Sequence, residues 1–140
     1  MKKYLNYAFF YSLAAMAGGV FYREFTKWNG FTGRTMLGKV HTHFFLLGMI
    51  VFMLVALFAK EKDLRSDKKF RTFLCVYNIG VPLTALMMLV RGITEVLHIT
   101  LSTAVDACIS GVAGVAHILM GLGLVLLFLS LKKQFEHSAS

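Results

Sequence analysis

The 140-residue sequence has little charge, a single proline and only two cysteines. Charged residues make up 16% of it, against about 25% in an ordinary soluble domain, and hydrophobic residues make up 57%. A soluble chain of this length could not bury so much apolar surface, because small domains have a high ratio of surface to volume. The same composition excludes a disordered chain. We therefore expect one domain that lies in a lipid bilayer.

Four charge-poor segments stand out along the chain, each long enough to cross a hydrocarbon layer of about 30 Å as a helix. Helices are also the way in which so short a chain can satisfy its backbone hydrogen bonds in lipid. The sequence thus predicts an all-α fold, a four-helix transmembrane bundle that forms one integral membrane domain over residues 1–140 and belongs to a multi-pass cell-membrane protein. The predicted spans are residues 4–22, 37–59, 71–97 and 106–131.

The first span has an alternative interpretation as a signal peptide. Lys2 and Lys3 precede it, and Ala15-Met16-Ala17 resembles a cleavage site. The aromatic run at residues 9–11 and the apolar continuation to Tyr22 favour a retained helix.

The basic residues predict the orientation of the bundle. Ten Lys and Arg residues fall on the side that holds both termini and the connection at 60–71, whereas four fall on the other side, at positions 23, 27, 34 and 39. This bias places both termini in the cytoplasm. The basic residues punctuate apolar runs and form no polar face, so the net charge of +8 predicts contact with the lipid bilayer and no nucleic-acid partner. We expect residues 23–39 to form an external loop, with turns at Gly30 and Gly33.

The two cysteines, Cys75 and Cys108, form no C-x-x-C pair and no metal-binding spacing. The predicted spans place them near opposite membrane faces, about 30 Å apart, which is far beyond the roughly 7 Å that a disulfide can bridge. We expect both to be free, buried thiols.

Ionisable side chains are costly in a bilayer and are therefore candidates for function. In the predicted topology they gather in the outer half of the bundle or at its outer surface, and the cytoplasmic half has no comparable group. The set comprises His41, His43, Arg91, Glu95, His98 and His117. His98 and the tail residue His137 are assigned no role.

Depth along the helices groups three of the histidines. At about 1.5 Å per residue, His43 and His117 differ in depth by about 3 Å, and His41 and His117 by about 6 Å. Residues two apart on a helix point about 200° apart, so only one of His41 and His43 can face His117. Depth favours His43, but a face shared with Gly38 and Gly48 gives His41 a slight preference. Gly114 and Gly121 form one stripe with His117.

Two imidazoles from facing helices in an apolar bundle fit the axial ligands of haem b. The candidate iron ligands are His41 or His43 together with His117, with Gly114 leaving room for the macrocycle. Arg91 is a candidate partner of the propionates, as are Lys39, Arg34 and Arg23 of the external segment. Covalent attachment is excluded, since no Cys-x-x-Cys-His is present. Zinc or copper would need three or four ligands at short distance, which this set does not offer.

Other interpretations stay open. Glycines in membrane helices usually serve close packing, and a membrane histidine often only bonds a neighbouring helix. Arg91 and Glu95 are four residues apart and are expected to pair with one another. The chain could therefore be a membrane transporter or accessory subunit with a His and Arg–Glu network that relays protons or simply packs. A quinone-linked electron-transfer cytochrome would share the haem.

The sequence also resembles a small bacterial four-helix membrane family of formerly unknown function. The resemblance covers nearly the whole chain, and three segments carry it: GVFYREFTK at 19–27, GKVHTH at 38–43 with Leu47-Gly48, and 111–123 around His117. The family includes a haem-sensing membrane protein that binds haem and helps in haem stress. His-x-His before Leu-Gly is also similar to segments of haem-binding membrane oxidase relatives. We expect a haem-b-binding protein that acts in haem capture, buffering or tolerance without assigned catalysis, and a homo-oligomer is compatible with these features.

Overall fold

The structure is a computed structural model that describes residues 1–61 and 63–136. Within these residues the chain forms four long helices and no strand, which confirms the predicted all-α fold. The helices are α1 (Lys2–Trp28), α2 (Leu37–Glu61), α3 (Lys68–Val96) and α4 (Thr103–Glu136). A short 3-10 helix at Leu64–Ser66 precedes α3. His137 lies outside the described residues.

Three of these helices, α2, α3 and α4, are long and apolar enough to cross a membrane. α1 is 27 residues long but is not among the three, because four tyrosines and Asn6 interrupt its apolar residues. Length and composition of the described residues therefore support three membrane-crossing helices where the sequence predicts four. Both counts are compatible with a multi-pass membrane protein.

The connections define two ends of the bundle. Residues 29–36 and 97–102 join α1 to α2 and α3 to α4 at one end, which we call the two-loop end. Both ends of the described chain, with the connection between α2 and α3, lie at the other, the terminal end. The predicted external loop at 23–39 is wrong in its extent, since α1 continues to Trp28 and α2 starts at Leu37. The predicted turn at Gly30 is confirmed by its φ of +59°.

α2 is not a uniform α-helix. It is α-helical over Leu37–His43, π-helical over Phe44–Ile50 and α-helical again over Val51–Glu61. A π-helix bonds residue i to i+5 and so takes in one more residue per turn than an α-helix. One extra residue in the wider turn changes the rotation about the helix axis by about 100°. Side chains before and after the segment therefore point in different relative directions from those in a regular α-helix.

An aromatic core fills the terminal half of the bundle. Its buried rings come from three helices and contact one another edge-on or tilted at centroid distances of 5.1–6.1 Å. The members are Tyr4, Phe52, Phe70, Phe73 and Tyr77. α3 and α4 approach each other closely beside it, where Gly80 faces the backbone of Met120. Cys75 and Cys108 are free, as predicted, but both are exposed on the helix surfaces, so the expectation that they are buried is wrong.

Candidate functional site

Two imidazoles from different helices meet near the two-loop end. The ring centroids of His43 on α2 and His117 on α4 lie 6.5 Å apart, and the ring planes are nearly perpendicular, at 83°. His43 is half-buried and His117 is exposed. The small depth difference expected from the sequence is consistent with this contact. The structure therefore pairs His117 with His43.

Both imidazoles are held in the same way by the backbone. His43 Nδ1 donates to the carbonyl of Lys39 at 2.9 Å, and His117 Nδ1 donates to the carbonyl of Ala113 at 2.8 Å. A backbone carbonyl can only accept, so the bond requires the proton on Nδ1. In a neutral imidazole this leaves the lone pair on Nε2. In metal sites, a histidine that binds the metal through one ring nitrogen is commonly oriented by a hydrogen bond from its other ring nitrogen.

His41 faces another helix. Its ring stacks on Tyr22 of α1 at 6.5 Å and 13°, and it lies 3.7 Å from the Cβ position of Gly19. The preference for His41 is thus corrected: the small-residue face that favoured it exists, but Gly38 packs against Tyr22 and Gly48 against Tyr11. This face serves the close approach of α1. The expectation that only one of the two histidines faces His117 is confirmed.

The face of α4 around His117 is open. A Cβ atom added at Gly111, Gly114 or Gly121 would meet no atom within 4 Å. One turn from His43 towards the two-loop end, Lys39 is exposed and makes no ion pair within residues 1–61 and 63–136. The imidazole pair therefore has open space beside it on α4. The ammonium group of Lys39, which makes no ion pair among the described residues, belongs to the turn of α2 that lies nearer the two-loop end.

Arg91 and Glu95 do not pair with one another, so that prediction is wrong. Arg91 donates to Asp106 Oδ1 and to Ser110 Oγ, both at 2.9 Å, and thereby links α3 to α4. Glu95 Oε2 accepts a hydrogen bond of 2.7 Å from the backbone amide of Met36, at the start of α2. Glu95 thereby satisfies a backbone amide at a helix start, where amides have no partner within the helix, whereas Arg91 pairs with a carboxylate on another helix.

These two links border a polar cavity of about 400 Å³ at the two-loop end, which Arg91, Glu95 and Asp106 line together with Thr94 and Thr103. Sequence reasoning missed Asp106. A signal for it existed, because Asp106 and Glu95 are the only acidic residues between Arg91 and residue 135.

A buried carboxylate lies at the terminal end, where the sequence analysis found no comparable group. Asp67 precedes α3 and is 7% exposed, and the Nζ atom of Lys133 lies 3.8 Å from its Oδ1. The neighbouring Ser130 hydroxyl, the Lys69 amide and the charge of Lys133 together hold the pKa of Asp67 below its usual range, against the opposing effect of burial.

The imidazole pair has the character of a two-coordinate nitrogen site. Within the described part of the chain, no group of three or more His, Cys, Asp or Glu side chains lies close enough to hold a metal ion. Two neutral Nε2 atoms can bind a metal centre that brings its other ligands with it.

The comparisons with known proteins identify a family. The chain matches, over residues 1–134, the model of a family described as "Protein of unknown function (DUF2871)". No significant match was found among curated proteins or among solved structures. The matched region extends across α1, α2 and α3 and includes most of α4 with His117. The chain therefore belongs to the DUF2871 family of proteins of unknown function.

Proposed function

We propose that this protein is a haem-b-binding integral membrane protein in which His43 and His117 would hold the haem iron. The observation that carries the proposal is the shared geometry of the two rings. They come from different helices, and each Nδ1 is bonded to a carbonyl of its own helix. Both Nε2 lone pairs are thereby available for iron.

The spacing of the rings supports ligation of one metal. A bond from a metal to an imidazole nitrogen is about 2.0 Å long, so two rings that hold one metal must lie within a few ångström of each other. The centroids of His43 and His117 are 6.5 Å apart, and one iron would be held by both side chains.

The surroundings support a macrocycle rather than a bare ion. A porphyrin supplies four equatorial nitrogens, so two side chains complete the coordination of its iron. The open helix face at Gly111, Gly114 and Gly121 leaves space for an apolar ring system. Lys39 lies where a propionate could take a cationic partner. Bound haem supplies one-electron redox chemistry, and the chain's own residues hold the iron, orient the ring and neutralise its carboxylates.

The proposal includes the topology. α1 forms the fourth span beside the three more apolar helices, both termini are cytoplasmic, and the imidazole pair lies in the outer half of the membrane. A site that faces outward at the cell membrane suits haem capture, buffering or tolerance. The resemblance to a family with a haem-sensing membrane protein points the same way.

The alternatives differ in what they require of the polar groups. A proton-relaying transporter or accessory subunit would need Arg91 and Glu95 as exchangeable groups, but both are engaged with Asp106 and the Met36 amide. A quinone-linked cytochrome would use the same imidazole pair and differ in having a redox partner.

The test is a haemin titration of the detergent-purified protein with three matched histidine variants. We expect the parent protein to give a six-coordinate, low-spin spectrum. His43→Ala and His117→Ala should each give a five-coordinate spectrum or lose binding. His41→Ala is the control on the same helix and should keep six-coordinate iron, because His41 packs against α1.

Two outcomes would contradict the proposal. A titration of the parent protein without a shift of the Soret band would exclude the haem site. Retention of six-coordinate iron in His117→Ala would move the ligand elsewhere.

A further inference from the structure

The geometry points to Tyr77 as a positioning residue for the imidazole pair. We infer that its hydroxyl stabilises the π-helical segment of α2, and that this segment turns His43 towards His117. The inference depends on the proposed function only in the part of its test that measures haemin binding. It concerns a residue that touches neither imidazole ring.

The pattern of burial along α2 shows what the π-helical segment does. The buried residues of α2 are Leu37, Val40, Gly48, Phe52, Val55 and Ala56. Four of them, Val40, Gly48, Phe52 and Ala56, stand at multiples of four residues from one another. In a regular α-helix, residues four apart drift by about 40°, so that such a series would leave the core within a few turns. The wider turn over Phe44–Ile50 removes most of this drift. It therefore sets the rotation of the Leu37–His43 part relative to the rest of α2.

The end of the π-helical segment has a carbonyl that a neighbouring helix supplies with a donor. There the Val51 amide donates to the Gly48 carbonyl, three residues back, so the bonding pattern of the backbone changes at this point. Tyr77 of α3 donates its hydroxyl to the Leu47 carbonyl at 2.8 Å. The Tyr77 side chain is fully buried, at 0% exposure. A buried carbonyl without a partner is costly, so this hydroxyl favours the π-helical form over the regular one.

The structure also provides a matched control. Tyr11 of α1 also contacts the segment, with its ring packed on Gly48, where a Cβ atom would overlap it. Its hydroxyl donates to Asn78 Oδ1 at 3.1 Å and not to the backbone of α2. Tyr11→Phe and Tyr77→Phe remove the same atom from the same region of the bundle, but only the second removes a partner of the π-helical segment.

Loss of the segment should misdirect His43. If α2 became a regular helix at constant length, the Leu37–His43 part would turn by about 100° relative to Val51–Glu61. Deletion of one residue from the segment would remove the extra residue of the wider turn. The Leu37–His43 and Val51–Glu61 parts would then keep their present relative rotation although α2 is a regular α-helix throughout. Leu46 is suited to deletion because it is exposed.

The haem-dependent arm of the experiment compares four proteins by haemin titration: the parent, Tyr77→Phe, Tyr11→Phe, and Tyr77→Phe with Leu46 deleted. We expect Tyr77→Phe to bind haemin about three- to tenfold more weakly, as for one net hydrogen bond, with a new five-coordinate, high-spin component. Tyr11→Phe should keep the parent spectrum. The deletion should restore six-coordinate iron to Tyr77→Phe.

The second arm uses no haem. Nitroxide labels at Lys39→Cys and Ala113→Cys, in a background with Cys75→Ser and Cys108→Ser, report the alignment of α2 and α4 one turn from each imidazole. A 100° turn moves a Cα atom, at 2.3 Å from the helix axis, by roughly 3–4 Å. We expect Tyr77→Phe to shift or broaden the label distance by at least this amount. Tyr11→Phe should not.

An unchanged label distance in Tyr77→Phe would overturn the inference, whatever haemin does, and so would failure of the Leu46 deletion to restore the parent distance. If the parent protein bound no haemin but Tyr77→Phe still changed the label distance, the positioning role would stand and the proposed function would fail.

Discussion

The terminal half and the two-loop half of the bundle are built from the same four helices but are held together differently. In the terminal half, buried rings from α1, α2 and α3 pack edge-on or tilted against one another. In the two-loop half, the buried apolar cluster of the described residues is smaller and has no aromatic member (Val40, Ala85 and Met88), and polar contacts such as Arg91 to Asp106 and Glu95 to the Met36 amide join neighbouring elements. The comparison suggests a packed scaffold at one end that carries an adaptable site at the other.

Glycine shows the difference at the level of one residue type. Gly80, beside the aromatic core, has the Met120 amide nitrogen only 2.7 Å from its Cβ position and the Ala116 carbonyl oxygen at 3.1 Å. Gly114, one turn from His117, has no atom within 4 Å of that position. The first glycine allows two backbones to approach, as is common in membrane helices. The second leaves a surface uncovered.

The largest effect that we expect comes from adding a methyl group at these two positions. Gly80→Ala should lower the free energy of unfolding by about 1–3 kcal/mol, since the backbone of α4 must move away. Gly114→Ala should leave the free energy of unfolding within about 0.5 kcal/mol of the parent value. Thermal unfolding in detergent measures both changes.

Haemin binding by Gly80→Ala and Gly114→Ala gives a second comparison of the two halves of the bundle. Gly114→Ala should weaken haemin binding although the apo protein is unaffected, because the methyl group takes space beside His117. Equal destabilisation by the two substitutions would show that the face of α4 at Gly114 is covered in the membrane, and the contrast between the two halves would be lost.

Much of the fold could be predicted from the sequence because helix positions depend on hydropathy and charge averaged over about 20 residues. Composition and charge-poor runs placed all four helices, and their bounds moved most at α1, which extends to Trp28, and at α4, which spans Thr103–Glu136. Depth along α2 and α4 also brought His43 and His117 together, since a rise of 1.5 Å per residue tolerates small errors.

Direction around a helix axis was harder to predict. The face of Gly38, His41 and Gly48 was identified, but the sequence could not show that α1 covers it. The π-helical segment also changes the rotation between the two α-helical parts of α2 by about 100°, which a regular helical period does not predict. Partner choice was missed for a related reason: local spacing favoured Arg91 with Glu95, whereas the loop at 97–102 brings Asp106 within reach.

A smaller effect should separate the two cations near the site. Lys39 is exposed and uncommitted, whereas Arg91 is bonded to both Asp106 and Ser110. Lys39→Ala should therefore weaken haemin binding two- to fivefold, about 0.4–1 kcal/mol as for an exposed ion pair, and leave six-coordinate iron. Arg91→Ala should change the affinity less, and its main effect should be on the stability of the α3–α4 link.

The haemin affinities of the two alanine variants, measured at low and at high salt, test this ranking. A larger loss of affinity in Arg91→Ala than in Lys39→Ala would reassign the propionate partner to α3.

The smallest effect belongs to the terminal half and appears only on acidification. Because the pKa of Asp67 is lowered in the folded chain, the unfolded chain binds more protons than the folded one at pH values between the two pKa values. The stabilisation is therefore complete above the unfolded value of about 3.9 and is lost as the pH falls through the lower folded value. Asp67→Asn should lower the unfolding temperature at neutral pH and flatten its decline below about pH 4. Asp63→Asn, an exposed carboxylate four residues earlier, is the control and should follow the parent curve. If the Asp67→Asn and parent curves ran parallel down to acidic pH, the charge of this carboxylate would make no pH-dependent contribution to the stability of the terminal half.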